Sequence, residues 1–384
     1  MNKHANFDFG LTPEQGDRSA RLHRESLIID MLYQGPLGPE YYPEDLSVEL
    51  KTFWDGRRDL LETLVKGLGL PEQRAAEGQL DTFRDHWLAS GVTGGNRQVE
   101  LSSLKALSWT FGMHQYLFDH CDWMIKCLTA EDFRRAKREG KAGGYINTQM
   151  SSGPFPDLQV LEAGYQLGLR MVQLTYNNQT TVAAGCTERT NAGVSHFGRA
   201  AIELMNELGI IVDTGHCGKQ TTLDACEMSS KPVVASHTAV EAVCAHDRCK
   251  SDEELLALAG TGGVIGIVTV PFFLRPSAAA DMNDVLDHVD YAAKLVGPEH
   301  VGVGTDWPMQ LPKWTLQELF YPMVEEMGFR EEHQIDPMAT VIGFSDYLDF
   351  PNITRGLISR GYTDEQIAGI LGGNFLRVFE AVCG

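Results

Sequence analysis

The chain has 384 residues, 43% of them apolar, with a formal charge of −20 and a sequence pI near 5.0. That length suits one large domain, such as an α/β barrel with insertions. The acidic balance argues against nucleic acid and anionic membrane surfaces as partners. No run of 18 apolar residues occurs, and the opening MNKHANFDFGLTPEQGDRSARLHRE holds no apolar leader core. A soluble, cytoplasmic protein is expected. The eight cysteines are scattered without a C-x-x-C pair, which favours free thiols. Cys217 neighbours His216, but free cysteine is more often a small buried apolar residue than part of a site.

In chain order, strand patterns fall at 26–30 (SLIID), about 91–96 (GVTGGN), 143–149 (GGYINTQ) and 169–176 (LRMVQLTY). Four more follow at 209–216 (GIIVDTGH), 231–238 (KPVVASHT), 262–270 (GGVIGIVTV) and 300–306 (HVGVGTD). Helical patterns lie between them at 157–167, 195–208, 219–229, 251–260 and 283–297, and a last helix is predicted from about 363 to 381. Thr363 opens it, with Asp364 and Glu365 in the first turn where the helix dipole favours negative charge. Eight strands alternating with helices predict a parallel (β/α)8 barrel. The later strands are nearly continuous apolar runs, as strands covered on both faces should be. Residues 34–90 and 307–360 interrupt the alternation after barrel strands, so both are expected over the barrel mouth. No repeat or linker divides the chain, and one domain spanning 1–384 is expected.

Barrel active sites lie at the C-terminal ends of the strands, and three of these ends carry reactive side chains. His216 and His237 close successive strands, which lie about 5 Å apart in a parallel sheet. Two neutral imidazoles across that gap can converge on a zinc-like ion. Asp306 ends the eighth strand, where a carboxylate can bind metal or take a proton from water as general base. The plainer roles are hydrogen-bonded structural histidines and a capping aspartate. Arg248 follows the sixth strand and suits bidentate capture of a substrate carboxylate, or else pairing with Asp247 at the surface.

Together these segments resemble the membrane (renal) dipeptidase family of the amidohydrolase superfamily. The resemblance rests on LTYNN, AGVSHFGRAAIELMNELGIIVDTGH, KPVVASHTAVEAVCAHDR, GVGTD and ILGGNFLRVFEAV, in order from about 158 to 381. It implies an amidohydrolase-type barrel in which two zinc ions activate water to cleave dipeptides. It further implies His216 and His237 as ligands of one metal, Asp306 as proton shuttle, and Arg248 as the grip on the substrate carboxylate. The match thins over the first 140 residues, and it departs where the family's other metal would bind. Leu32 and Gln34 stand at the strand-one histidine and aspartate, Gln149 at the bridging glutamate, and Tyr176 at a substrate-contacting histidine. Leucine binds no metal, and a neutral amide is a weak substitute for a carboxylate.

The reading is therefore a dipeptidase-like hydrolase of a small dipeptide or amide, with one zinc at most and open to none. Tyr176 and Gln149 are expected as substrate contacts. Its partner is a small molecule with a free carboxylate, and relatives of this kind leave a homodimer open. Two alternatives stand beside it. One is a metal-independent or non-peptidase enzyme, such as a lyase or isomerase, in the same pocket. The other is a binding homologue without catalysis.

Overall fold

The computed structural model describes residues 4–149, 157–276 and 279–384. Eight parallel strands close on themselves. We number these staves β1 (Ile29–Asp30), β2 (Gly94–Gln98), β3 (Ala142–Thr148), β4 (Leu169–Gln173), β5 (Ile211–Asp213), β6 (Val233–Val240), β7 (Ile265–Ile267) and β8 (Val301–Val303). Each pairs with its neighbour in chain order, and β8 returns to β1 through the Asp30–Val303 register. Helices run between the staves, so the fold is a (β/α)8 barrel. The staves are buried throughout, apart from the partly exposed Gln98, which accounts for their apolar runs.

Around the strand starts, Ile29, Tyr145, Met171, Ile211 and Val264 pack with Phe375 and Phe379 of the helix Asn374–Cys383. Phe379 is fully buried, and cutting it to alanine would cost roughly 3–5 kcal/mol. The 34–90 stretch holds helices Glu44–Arg57, Leu60–Ala76 and Asp81–Ser90. The 307–360 stretch holds Lys313–Glu318, Phe320–Glu326 and Pro351–Ser359.

The staves fall where the sequence patterns do, with corrections. The second strand runs over Gly94–Gln98 instead of 91–96, because Gly91 ends the preceding helix in a left-handed turn. Strand Met124–Lys126 lies in a stretch read as no element and pairs with the start of β3. A second short strand, Cys249–Lys250, pairs with the end of β6. The last helix is not continuous. Asp364–Ala368 gives way at Gly369–Gly373 to a wider turn in which Gly372 leaves helical geometry, and the helix resumes at Asn374. Thr363 does cap its start, with Gln366 returning the bond.

Candidate active site

The strand ends are tied together by a polar layer. Asp213, completing the apolar run of β5, is fully buried and accepts N–H bonds from Gly215 at 3.0 Å and Ser236 at 2.8 Å. Its second oxygen takes the Ser236 hydroxyl. Ser236 and His237 lie where the register between β6 and β7 slips, two residues facing Gly266 alone. A bulge there turns the chain and re-aims His237. The close approach requires glycine on both neighbours: a Cβ at Gly266 or Gly304 would come within 2.0 or 1.9 Å of the Ser236 carbonyl oxygen.

The bonds fix the state of both histidines. Ser236 has one hydroxyl hydrogen and gives it to Asp213, so at 2.7 Å it accepts from His237 Nδ1–H. His216 Nδ1 donates to Asn177 Oδ1 at 2.7 Å, and Tyr176 stacks on its ring at 3.7 Å between centroids. Both Nε2 atoms are left as lone pairs, buried and without a partner among the described residues. The rings stand 4.8 Å apart between centroids. Burial, reinforced by the Arg248 charge, pushes both pKa values well below the usual imidazole range and keeps both rings neutral.

Asp306 follows β8 with φ of 60°, a left-handed conformation that a non-glycine residue adopts at some cost. Its backbone N–H bonds Leu32 O, and its Oδ1 accepts Gln34 Nε2 at 2.9 Å. Burial raises its pKa to about 6, against the opposing pull of Arg248 and the Gln34 bond. Gln149 binds Gln173 through its backbone oxygen at 2.7 Å, and its own Nε2 has no partner among the described residues.

A cavity of about 200 Å³ reaches some of these groups, and His237 is not in its lining. Gln34, Gln149, Tyr176, His216 and Asp306 line it, with apolar walls that include Leu68, Phe273, Trp307 and Met323. Arg248 is not in that lining. It is 1% exposed and braces the site from behind, its terminal nitrogens donating to Gly215 O and, at 3.0 Å, to His237 O. Asp247 pairs with Arg330 at 2.7 Å instead of with Arg248. Cys217 is also absent from the lining. It is 1% exposed, its thiol pushed up to about 12 by burial.

One part of the cavity was not anticipated. Arg97, on β2, bonds Glu72 through Nη1, and Glu72 accepts His114 Nδ1 at 2.8 Å. All three line the cavity and are nearly buried. Burial alone would raise the Glu72 pKa, but His114 and Arg97 hold it down at about 2. An arginine inside a buried strand is the one sequence signal that could have revealed this cluster.

Two neighbouring neutral imidazoles, each with a free Nε2 lone pair, have the donor chemistry for one zinc-type ion, with water or a carboxylate completing the shell. The places for a second ion do not fit: Leu32 is fully buried and apolar, and Gln34 and Gln149 present neutral amides. No group of three or more His, Cys, Asp or Glu side chains suited to a metal gathers among the described residues. No helix among those residues is long and apolar enough to cross a membrane.

Residues 93–332 and 334–383 match the family model of membrane dipeptidase (peptidase family M19). An amidohydrolase from Pseudomonas aeruginosa superimposes with a TM-score of 0.74 at 26% identity, over 95% of this chain and 98% of that one. The probable dipeptidase PvdM from the same organism gives 0.69 at 19% identity, over 97% and 99%. A metallopeptidase from Rhodobacter sphaeroides, liganded with a phosphinate mimic of the dipeptide L-Ala-D-Ala, gives 0.61 at 19%, over 77% and 88%. At 19% identity these last two bear on the fold alone.

Proposed function

Since the chain belongs to the membrane dipeptidase family, and so to a family of hydrolases, we propose that it cleaves a small dipeptide or amide at a reduced, mononuclear metal site held by His216 and His237. The observation that carries this reading is the pair of neighbouring imidazoles, each with an Nε2 unpartnered among the described residues, of which His216 lines a cavity together with Asp306. Asp213, Ser236 and Asn177 set the tautomer of both rings, the orienting role that groups behind metal-ligating histidines perform. When bound, a zinc ion would supply Lewis acidity and bring the pKa of water toward about 7.

Asp306, with its pKa near 6, is mostly ionised at neutral pH, yet basic enough to accept a proton and return it to the leaving amine. Tyr176 covers the face of His216 and, with the Gln149 amide, offers donors to the substrate carbonyl region. Arg248 holds the loops that present both histidines. The apolar walls exclude water from the bond being cut. A dipeptide is the substrate class this supports, in keeping with the dipeptide mimic bound by the Rhodobacter sphaeroides relative.

The test is elemental analysis of protein purified without added metal or chelator, beside the His216→Ala/His237→Ala double variant, with Ala-Ala hydrolysis assayed in parallel. About one zinc per chain, lost in the double variant together with activity, is the expected result. No stoichiometric metal in either protein would overturn the metal-dependent reading. Turnover that survives chelation but fails in the double variant would point to acid–base chemistry by Asp306 and neutral imidazole.

A further inference from the structure

We propose that Arg97 is the residue that grips a carboxylate of the substrate, in the branch of the cavity between helices Leu60–Ala76 and Leu104–His120. The inference rests on the hydrolase reading above and names the recognition element of that same cavity.

Three observations carry it. First, Nη1 of Arg97 is committed to Glu72, whereas Nε and Nη2 have no partner among the described residues. Those two nitrogens form one edge of the guanidinium, with parallel N–H bonds spaced to take both oxygens of a carboxylate. A side chain only 4% exposed does not leave such an edge unpaired without cost. Second, the carboxylate beside Arg97 already has a second partner. His114 directs Nδ1 at the Glu72 carboxylate at 2.8 Å and Nε2 at the Gln98 carbonyl at 2.7 Å. Glu72 is thus shared between His114 and Nη1 of Arg97, which leaves the Nε/Nη2 edge of Arg97 for a further carboxylate. Third, the fork is rigid. Trp87 and Tyr33 flank the guanidinium with centroids 4.9 and 5.6 Å from its carbon, and Glu72 fixes its rotation. Pre-set geometry of this kind reduces the entropy lost on binding.

Arg248 cannot make the same fork without releasing Gly215 O and His237 O, and it does not line the cavity. Arg97 is the arginine that does. A substrate therefore lies with its carboxylate against Arg97 and its scissile bond toward His216 and Asp306. Both a terminal and a side-chain carboxylate have the required chemistry, and the probes below separate them.

Calorimetric titration is made with Ala-Ala, with Ala-Ala amide and with Glu-Ala amide, into wild type, Arg97→Lys and Arg97→Met. Wild type should bind at least one acid about 10- to 100-fold more tightly than Ala-Ala amide, the range for a charged two-point bond. Preference for Ala-Ala assigns the terminal carboxylate; preference for Glu-Ala amide assigns the side chain. Arg97→Met should abolish the preference, and Arg97→Lys should restore a part of it without the fork. Because Arg97→Met leaves Glu72 facing His114 alone, the Glu72→Gln/Arg97→Gln pair serves where the single change does not fold. Equal binding of acid and amide by wild type, no binding of any probe, or a preference that persists without Arg97 overturns the proposal. Acid-selective binding without hydrolysis would sink the function proposed above and leave the role of Arg97 standing. Hydrolysis with an unaltered preference in Arg97→Met would do the reverse.

Discussion

Asp30 and Thr305 are bound to each other twice across the seam between β8 and β1: the Thr305 N–H reaches Asp30 Oδ1 at 2.9 Å, and its hydroxyl takes Oδ2. Asp213 and Ser236 make the same two bonds across β5 and β6. Each aspartate also accepts the N–H two residues on, from Leu32 at 3.1 Å and Gly215 at 3.0 Å. The device recurs at opposite sides of the barrel. In one place it presents His216 to the cavity, and in the other it presents the turn that ends in Gln34.

The Asp30 copy makes stability depend on pH. Burial raises its pKa to about 7, outweighing the bonds from Thr305 and Leu32. The unfolded carboxyl titrates near 3.8, so between these values the folded state holds the extra proton. Stability from this group is full below about pH 4, falls as pH rises toward 7, and levels off above it. The whole swing is roughly 4 kcal/mol. Asp30→Asn keeps an acceptor for both N–H groups and lets Thr305 reverse its hydroxyl. Urea unfolding from pH 4.5 to 7.5 should show a shallower decline in Asp30→Asn than in wild type. Parallel curves would contradict the assignment.

At the second copy, Ser236→Ala removes the acceptor of His237 Nδ1 and one donor to Asp213. The ring then loses its enforced tautomer. Metal affinity or turnover should fall by about 10- to 100-fold, and stability by roughly 1–3 kcal/mol for the buried groups left unpaired. Zinc titration against a competing chelator reads the first effect and urea unfolding the second. Unchanged zinc affinity would show that the hydroxyl does not orient the ring.

The barrel was legible because staves buried on both faces must be apolar runs, and Ile211–Val212 or Val233–Ala235 can be little else. His216, His237 and Asp306 stood out because each breaks such a run at its end; the structure sets the His216 and His237 rings 4.8 Å apart and puts His216 and Asp306 on one cavity. Asp213 and Ser236 sit beside them yet carry no mark of their roles, since a bulge is a property of two strands together. Arg97, Glu72 and His114 come from a polar, glycine-rich strand and two helices, and only tertiary packing joins them. Met124–Lys126 is too short to show a period.

Gln34 tunes Asp306. Its bond lowers the aspartate pKa, against the larger effect of burial, to a net value of about 6. As a base, Asp306 works ionised, so kcat/KM should rise with pH through about 6 in wild type. Gln34→Leu removes a donor to the carboxylate and moves that limb to higher pH. Asp306→Asn should abolish the limb and lower kcat by about 10²- to 10⁴-fold. A limb that stays in place in Gln34→Leu, or survives in Asp306→Asn, would assign it to another group.

The missing ligands can be put back. Leu32→His with Gln34→Asp and Gln149→Glu supplies one imidazole beside Asp306, whose N–H bonds the residue-32 carbonyl, and two carboxylates on the cavity that His216 and Asp306 line. Without metal, the carboxylate introduced by Gln34→Asp would stand against Asp306, in place of the bond that Gln34 now donates. Like charges there would raise both pKa values and weaken the fold. With metal, the same charges become ligands. Zinc content should rise from about one to about two per chain. Melting of the triple variant should shift upward with added zinc and fall below wild type with chelator, since metal that binds only the folded state stabilises it. One zinc per chain and a zinc-insensitive melt would mean that strand one and Gln149 do not stand where a second ion could bind.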